Sequence, residues 1–118
     1  LTGFLEREGI APVRHAYDLA TAFDSSAGRE GPQVAVLREY DALPGVGHAC
    51  GHNIIATAGL GAGRAAAFVA EAAGGKVRIM GTPAEEGGGG KVRMARKGAF
   101  DGVAAAMMVH PADADLLH

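Results

Sequence analysis

The sequence contains few of the residues that define specialised protein classes. It has one cysteine, no tryptophan and only six other aromatic residues among 118 positions. A single cysteine excludes an internal disulfide framework and is typical of a reducing compartment, so we expect a cytoplasmic protein. The net charge of −2 leaves no excess of positive charge, so neither nucleic acid nor an anionic membrane is expected as a partner.

Long uninterrupted apolar segments are also lacking. The longest apolar run, residues 54–70, is mostly alanine and glycine and contains Arg64, so it is not predicted to span a membrane. The opening LTGFLEREGI has no apolar core of the kind found in secretion signals. A composition of 48% hydrophobic and 20% charged residues is instead that of a globular protein, and this length allows at most one domain. With 19 glycines and few aromatics, the core is expected to use Val, Ala, Leu and Met at close backbone approach.

Hydrophobic periodicity predicts an α/β fold. Glycines and prolines divide the chain into alternating segments. The predicted elements are a helix ending at Gly9, strands over residues 17–23 and 33–40, a helix over 53–73 capped by Asn53, a strand over 76–81, a short helix from Thr82 to about Arg96 stopped at Gly98, and a strand over 103–109. Strands that alternate with helices indicate a mostly parallel sheet with crossover helices.

The segments that follow the three predicted parallel strands carry the reactive side chains. In open sheets of this kind, ligands bind beyond the carboxyl ends of the strands. Here those segments are GHACGH, AEE and the terminal His110. The thiol, imidazole and carboxylate groups of the chain are therefore predicted to meet at one edge of the sheet.

Cys50 and His52 are separated by one glycine, which lets both side chains point the same way. A thiolate and an imidazole form a zinc-type pair. Taken alone, the pair is better explained as a buried thiol and a histidine in a turn. Cys50 and His52 become candidate ligands because other loops supply further donors.

Glu85 and Glu86 are adjacent carboxylates after a buried strand and before four glycines. One can bind a metal while the other acts as general base toward a water molecule. The alternative is that both carboxylates stabilise a helix N-terminus, where each would contribute about 0.3–1 kcal/mol. That alternative leaves the four glycines unexplained.

The remaining histidines differ in how well their positions support a functional role. His110 follows seven apolar residues and precedes a proline, so it is placed at a strand end facing the same edge. A lone histidine there would be structural, and His110 is a candidate ligand because two other loops converge on it. His15 and His48 are interpreted as strand or turn residues, and His118 lies at the chain end, where no role is assigned.

The glycine-rich segments do not fit nucleotide-binding motifs. The Walker pattern requires a glycine and a Ser or Thr at positions that here hold Glu85 and Val92. The segment GAGRAA, residues 61–66, falls inside the predicted helix and not at a strand-to-helix turn. We interpret it as small-residue packing.

Three separated motifs, REYDALPGVGHACGHN, GTPAEEGGGGKVRMARKGAFDGV and AAMMVH, occur in the order found in a known family. From about Val34 onward, the chain resembles metallopeptidase family M20, subfamily D, which includes aminobenzoyl-glutamate hydrolase and aminoacylase-like enzymes. The resemblance implies a zinc-peptidase-like α/β catalytic domain. It also implies hydrolysis of an amide bond in an N-acyl amino acid or dipeptide by a metal-activated water.

The resemblance also assigns roles to individual residues. It implies that Cys50, His52, Glu86 and His110 bind two divalent ions, which would be zinc, manganese or cobalt. Glu85 would be the general base, and Asp41 in EYDALP would orient a ligand. The CGHN sequence, where other members have CGHD followed one residue later by histidine, favours the aminobenzoyl-glutamate hydrolase-like branch.

The family's last metal-binding histidine and its lid and dimerisation domain are not present in these residues. The chain is therefore expected to be the N-terminal part of a catalytic domain, inactive alone, from a parent that oligomerises through the lid. The alternative is a non-catalytic remnant that binds a metal or ligand without turnover.

Overall fold

The structure is a computed structural model and describes residues 1–114. Three helices, a short 3-10 helix and five strands follow one another along this part of the chain. Their bounds are α1 Thr2–Arg7, β1 Pro12–Arg14, the 3-10 helix Ala16–Asp18, β2 Phe23–Gly28, β3 Gln33–Arg38, α2 His52–Ala70, β4 Lys76–Gly81, α3 Gly90–Arg96 and β5 Val103–Met107.

The five strands form one sheet in the order β1-β2-β4-β3-β5. Strand β3 pairs in parallel with both β4 and β5, and helices α2 and α3 make the two crossovers. The predicted α/β class is therefore confirmed. The sheet is mixed, because β2 runs antiparallel to β4 and to β1.

The core lies on both faces of the sheet because side chains alternate along each strand. On one face, Val36 and Ile79 pack with Leu5 of α1 and with α2. On the other face, Met80 packs with Met94 of α3. Each of these five side chains is at most 5% exposed, so the site described below is attached to a packed framework.

Helix α2 lies unusually close to the sheet. A Cβ added at Gly63 would lie 2.9 Å from Ile79, and one at Gly59 would lie 2.3 Å from Arg38. These two glycines thus let the backbone of α2, for which small-residue packing is predicted, approach β3 and β4 closely. By length and composition alone, α2 could also cross a membrane. This is weak evidence for a membrane span, because a helix in the core of a soluble protein can have the same length and composition.

The strand predicted over residues 17–23 is wrong. Residues 16–18 form the 3-10 helix, and His15, Tyr17 and Asp18 have φ angles of 55°, 58° and 59°. Strand β2 instead occupies residues 23–28, where the polar sequence DSSAG predicts a loop. Pairing with β4 along its whole length overrides the weak strand propensity of these residues.

Two predicted helix starts are also wrong. Helix α2 begins at His52 with Gly51 at the N-cap in a left-handed conformation, so Asn53 does not cap it. Helix α3 begins only at Gly90, because the preceding glycines disfavour helix and Gly89 has a positive φ of 58°. Glu85 and Glu86 therefore lie in a loop and not in the first turn of a helix.

Candidate metal centre

The candidate site lies beyond the carboxyl ends of β3, β4 and β5. The segment after β3 carries Asp41, Cys50 and His52, the loop after β4 carries Glu85 and Glu86, and His110 follows β5. These residues come from three separate segments, which the parallel arrangement of the strands brings to one edge.

His52 is at the centre of these contacts and is only 1% exposed. Its Nδ1 lies 3.3 Å from Asp41 Oδ1 and donates a hydrogen bond to that carboxylate in the Nδ1–H tautomer, in which Nε2 carries a lone pair. Nε2 lies 3.7 Å from Glu85 Oε2 and 3.7 Å from Glu86 Oε1. A lone pair that faces two carboxylates is the arrangement expected of a metal-binding nitrogen.

Asp41 connects two of the three segments. One of its oxygens faces the ring of His52, and the other accepts a hydrogen bond from the backbone N–H of Glu86 at 3.0 Å. Burial would raise the pKa of Asp41, but the hydrogen bonds from Glu86 and His52 outweigh burial and lower the pKa. Asp41 therefore stays charged and holds both residues in place.

Cys50 is half-buried beside the same carboxylates. The hydrogen bond between its thiol and the Glu86 carboxylate raises the pKa of Cys50, and burial and the negative charges of Glu86, Glu85 and Asp41 add to this effect. Without a cation the thiol is thus kept protonated by its acidic neighbours. A divalent ion bound among them would favour the thiolate instead.

His110 is exposed and approaches the buried histidine edge-on. The centroids of the His110 and His52 rings are 6.0 Å apart, with an interplanar angle of 87°. Nδ1 of His110 donates to the carbonyl oxygen of Pro111 at 2.7 Å, which leaves Nε2 free to bind. A Cβ at Gly51 would lie 2.8 Å from Pro111 Cγ, so the glycine lets the Cys50–His52 loop pack against this segment.

Glu39 belongs to the same cluster and was missed by the sequence reasoning. It directly follows β3, is 2% exposed, and its Oε2 lies 3.2 Å from His52 Nε2. Its other oxygen forms an ion pair with Lys91. The available signal was its position at the carboxyl end of a parallel strand, two residues before Asp41.

These residues fit a divalent cation. Ligand atoms of His52, Glu85 and Glu86 all lie within 4.8 Å of one another, as do those of Glu39, His52 and His110. Among residues 1–114, the buried His52 Nε2 and Glu39 Oε2 have no hydrogen-bond partner. Burying such groups is costly unless a cation satisfies them, and thiolate, imidazole and carboxylate are a donor set that zinc accepts.

The other predicted features lie apart from this cluster. His48 is exposed, His15 precedes the 3-10 helix, and His118 lies outside the described residues. At Gly90, the first residue of α3, a Cβ would lie 1.7 Å from the carbonyl oxygen of Pro83, whereas one at Gly87 in the loop after β4 would meet nothing within 4 Å. Gly90 thus serves close packing, and Gly87 leaves open space beside the carboxylates.

A comparison with protein families matches residues 33–118 to the peptidase family M20/M25/M40. The chain belongs to this family. It is 46% identical to a mouse (Mus musculus) Xaa-Arg dipeptidase and 39% identical to one of the subunits of p-aminobenzoyl-glutamate hydrolase from Escherichia coli K12, each over 94% of this chain. The resemblance to the M20 family is therefore confirmed.

The fold agrees with solved structures of the same family. A Bacillus subtilis protein described as a dinuclear metal-binding peptidase from the M20 family superposes with a TM-score of 0.77 at 29% identity, covering 88% of this chain and 33% of that protein. The chain spans 29% of the mouse relative and 27% of the bacterial one. It thus corresponds to part of a larger catalytic unit in these relatives.

Proposed function

We propose that the full-length protein hydrolyses an amide bond in a small N-acyl amino acid or dipeptide and depends on two divalent metal ions. The mouse relative is named as a dipeptidase, and the bacterial relative is named as an aminobenzoyl-glutamate hydrolase. The single observation that carries the proposal is the buried His52 Nε2. It has no hydrogen-bond partner in residues 1–114 and faces the carboxylates of Glu85 and Glu86.

The proposed roles follow from exposure and contact. Cys50, His52, Glu86 and His110 hold the ions, and Asp41 orients His52 through Nδ1. Divalent ions held there would polarise the substrate carbonyl and lower the pKa of water.

Glu85 is the proposed general base. Its side chain is 45% exposed, whereas that of Glu86 is 17% exposed, so Glu85 is the carboxylate that solvent and substrate reach more easily. It would take a proton from the attacking water and pass it to the leaving amine. The two adjacent carboxylates therefore divide proton transfer and ion binding between them.

The test compares Glu85→Gln with Glu86→Gln in the full-length protein. Loss of a general base costs about 10²–10⁴-fold in rate, so Glu85→Gln should lose hydrolysis to that extent while it keeps its metal. Glu86→Gln should lose metal and activity together. Turnover is measured on a panel of N-acyl amino acids and dipeptides that includes aminobenzoyl-glutamate and Xaa-Arg dipeptides, and metal content is measured by elemental analysis.

Two results would contradict the proposal in different ways. If wild type binds metal but cleaves nothing in the panel, the site is that of a non-catalytic binder. If Glu85→Gln retains wild-type turnover, another group is the base.

A further inference from the structure

Glu39 carries a charge in a place where burial is expensive. It directly follows β3 and is 2% exposed, between the site and helix α3. A buried carboxylate is stable only if its charge and both its oxygens are compensated. The contacts of the two carboxylate oxygens differ.

One oxygen of Glu39 is compensated and the other is not. Oε1 forms an ion pair with Lys91, the second residue of α3. Oε2 is buried and has no hydrogen-bond partner among residues 1–114. It lies 3.2 Å from His52 Nε2, which is equally buried and equally without a partner.

Two such atoms repel each other unless a proton on Nε2 or a metal ion lies between them. Because Nδ1 of His52 donates to Asp41, the lone pair of Nε2 faces the negative charge of Glu39. The two atoms are 3.2 Å apart. If both were about 2.1 Å from one ion, the angle between them at the ion would be about 100°, which is close to tetrahedral. A nitrogen of His110 lies within 4.8 Å of one ligand atom of Glu39 and one of His52, so His110 could supply a third ligand.

We propose that Glu39 is itself a metal ligand, sharing one divalent ion with His52 and His110. Lys91 is the positioning residue: it holds Oε1, so that Oε2 alone turns toward the ion. The inference rests on the proposed function and extends its ligand set by a residue to which the sequence motifs assigned no role.

The experiment measures zinc binding by the full-length protein after chelator treatment. In Glu39→Gln, which keeps the size of the side chain, the dissociation constant of one of the two zinc ions should rise more than about 100-fold, beyond the 10–100-fold that loss of a residue supporting a ligand costs. The visible spectrum of the cobalt-substituted protein should change as well, since a ligand atom is lost.

Lys91→Met is the matched control because it removes the partner of Glu39 and leaves the carboxylate. It should still bind two zinc ions, and the dissociation constant of the ion at Glu39 should rise by no more than the roughly 10–100-fold that loss of a supporting residue costs. Equal weakening in Lys91→Met and Glu39→Gln would mean that the ion pair is only a structural link, which overturns the proposal. Unchanged zinc binding in Glu39→Gln would also overturn it.

A ligand exchange covers the case in which Glu39→Gln does not fold. Glu39→His supplies a nitrogen ligand but cannot pair with Lys91, so it should retain two zinc ions. Loss of zinc from a folded Glu39→His protein would contradict a ligand role. A wild-type protein that binds no zinc would refute the proposed function itself, an outcome distinct from loss in the variants alone.

Discussion

Asp41 and Tyr17 show how single polar groups hold separate parts of the chain together at the residue scale. Asp41 joins the segment after β3 to the loop after β4. Tyr17 donates to Asp24 of β2 and accepts a hydrogen bond from Arg78 of β4 at 2.5 Å. Both networks fix loops that local propensity alone leaves undefined.

The hydroxyl of Tyr17 gives stability a pH dependence. Burial, together with the hydrogen bond to Asp24 and its negative charge, raises the pKa of Tyr17 to about 12 from an ordinary value of 10.0. Between these two values the unfolded chain loses the tyrosine proton and the folded chain keeps it, so stability falls as pH rises. In Tyr17→Phe this fall should be smaller, and at pH 7 the variant should be less stable by about 1 kcal/mol.

Urea unfolding of wild type and Tyr17→Phe at about pH 9 and about pH 11.5, on either side of the ordinary tyrosine pKa, checks this prediction. The difference in unfolding free energy between the two proteins should shrink at the higher pH. A difference that stays constant across this range would show that the hydroxyl titrates normally in the folded state.

The sequence predicts most of the residues that the structure brings together, but not Glu39. The order of predicted strands and helices places Cys50, His52, Glu86 and His110 in the segments that follow parallel strands, and the structure brings them to one edge. Glu39 lies near the end of the strand predicted over residues 33–40, in the charged stretch REYD, which by composition is typical of an exposed surface. Its burial results from packing against α3 and the site, which a single sequence does not encode locally.

At the element scale, the distance between α2 and the sheet is set by glycines on one face of the helix. Gly59 and Gly63 are buried against Arg38 and Ile79, whereas Gly61 faces open space. Because His52 is the first residue of α2, the seating of this helix also fixes the depth of the candidate metal ligand.

Gly59→Ala should destabilise the protein, and Gly61→Ala should stabilise it. A Cβ at position 59 would lie 2.3 Å from the buried Arg38 Cγ, an overlap expected to cost about 1–3 kcal/mol. Nothing lies within 4 Å of a Cβ at position 61, so alanine there should gain about 0.5–1 kcal/mol from helix propensity. Thermal unfolding of the two variants measures both changes in stability. Equal changes of the same sign would contradict the close packing of Gly59 against Arg38.

The elements that were predicted correctly differ from the others in sequence pattern. Strands β3, β4 and β5 are largely apolar runs that directly follow a glycine or a proline. Buried residues recur along β3 and β4, whereas most of β5 is exposed in the described residues. Strands β1 and β2 are short or polar and form only by pairing with β4 and with each other. The helix that contains α3 is predicted to start at Thr82 because TPAEE contains helix-forming residues. The glycines that follow TPAEE disfavour a helix, so α3 begins only at the last of them, Gly90.

At the scale of the whole molecule, part of the apolar surface lies open in the described residues. Phe68 and Val69 of α2 are 79% and 52% exposed, and Met107 at the end of β5 is 56% exposed. The M20 relatives extend well beyond the part that this chain matches, which covers 29% of the mouse dipeptidase. We expect further residues of the full-length protein to cover this surface.

The 118-residue chain alone should therefore be inactive, whereas the full-length protein should hydrolyse amides. The partial set of ligands would bind metal weakly, and the site would stay open to water. Hydrolysis assays on both forms at equal metal concentration check this. Steady turnover by the short chain that is lost on Glu85→Ala would show that residues 1–118 suffice.

We expect Cys50, His52 and Glu86 to share a bound cation at the carboxyl edge of the sheet. The most direct measurement is anomalous diffraction at the zinc edge from crystals of the full-length protein grown with zinc. We expect peaks about 2.0–2.3 Å from Cys50 Sγ, His52 Nε2 and a Glu86 oxygen. Crystals of active protein that show zinc elsewhere, and no peak within reach of these three atoms, would contradict this expectation.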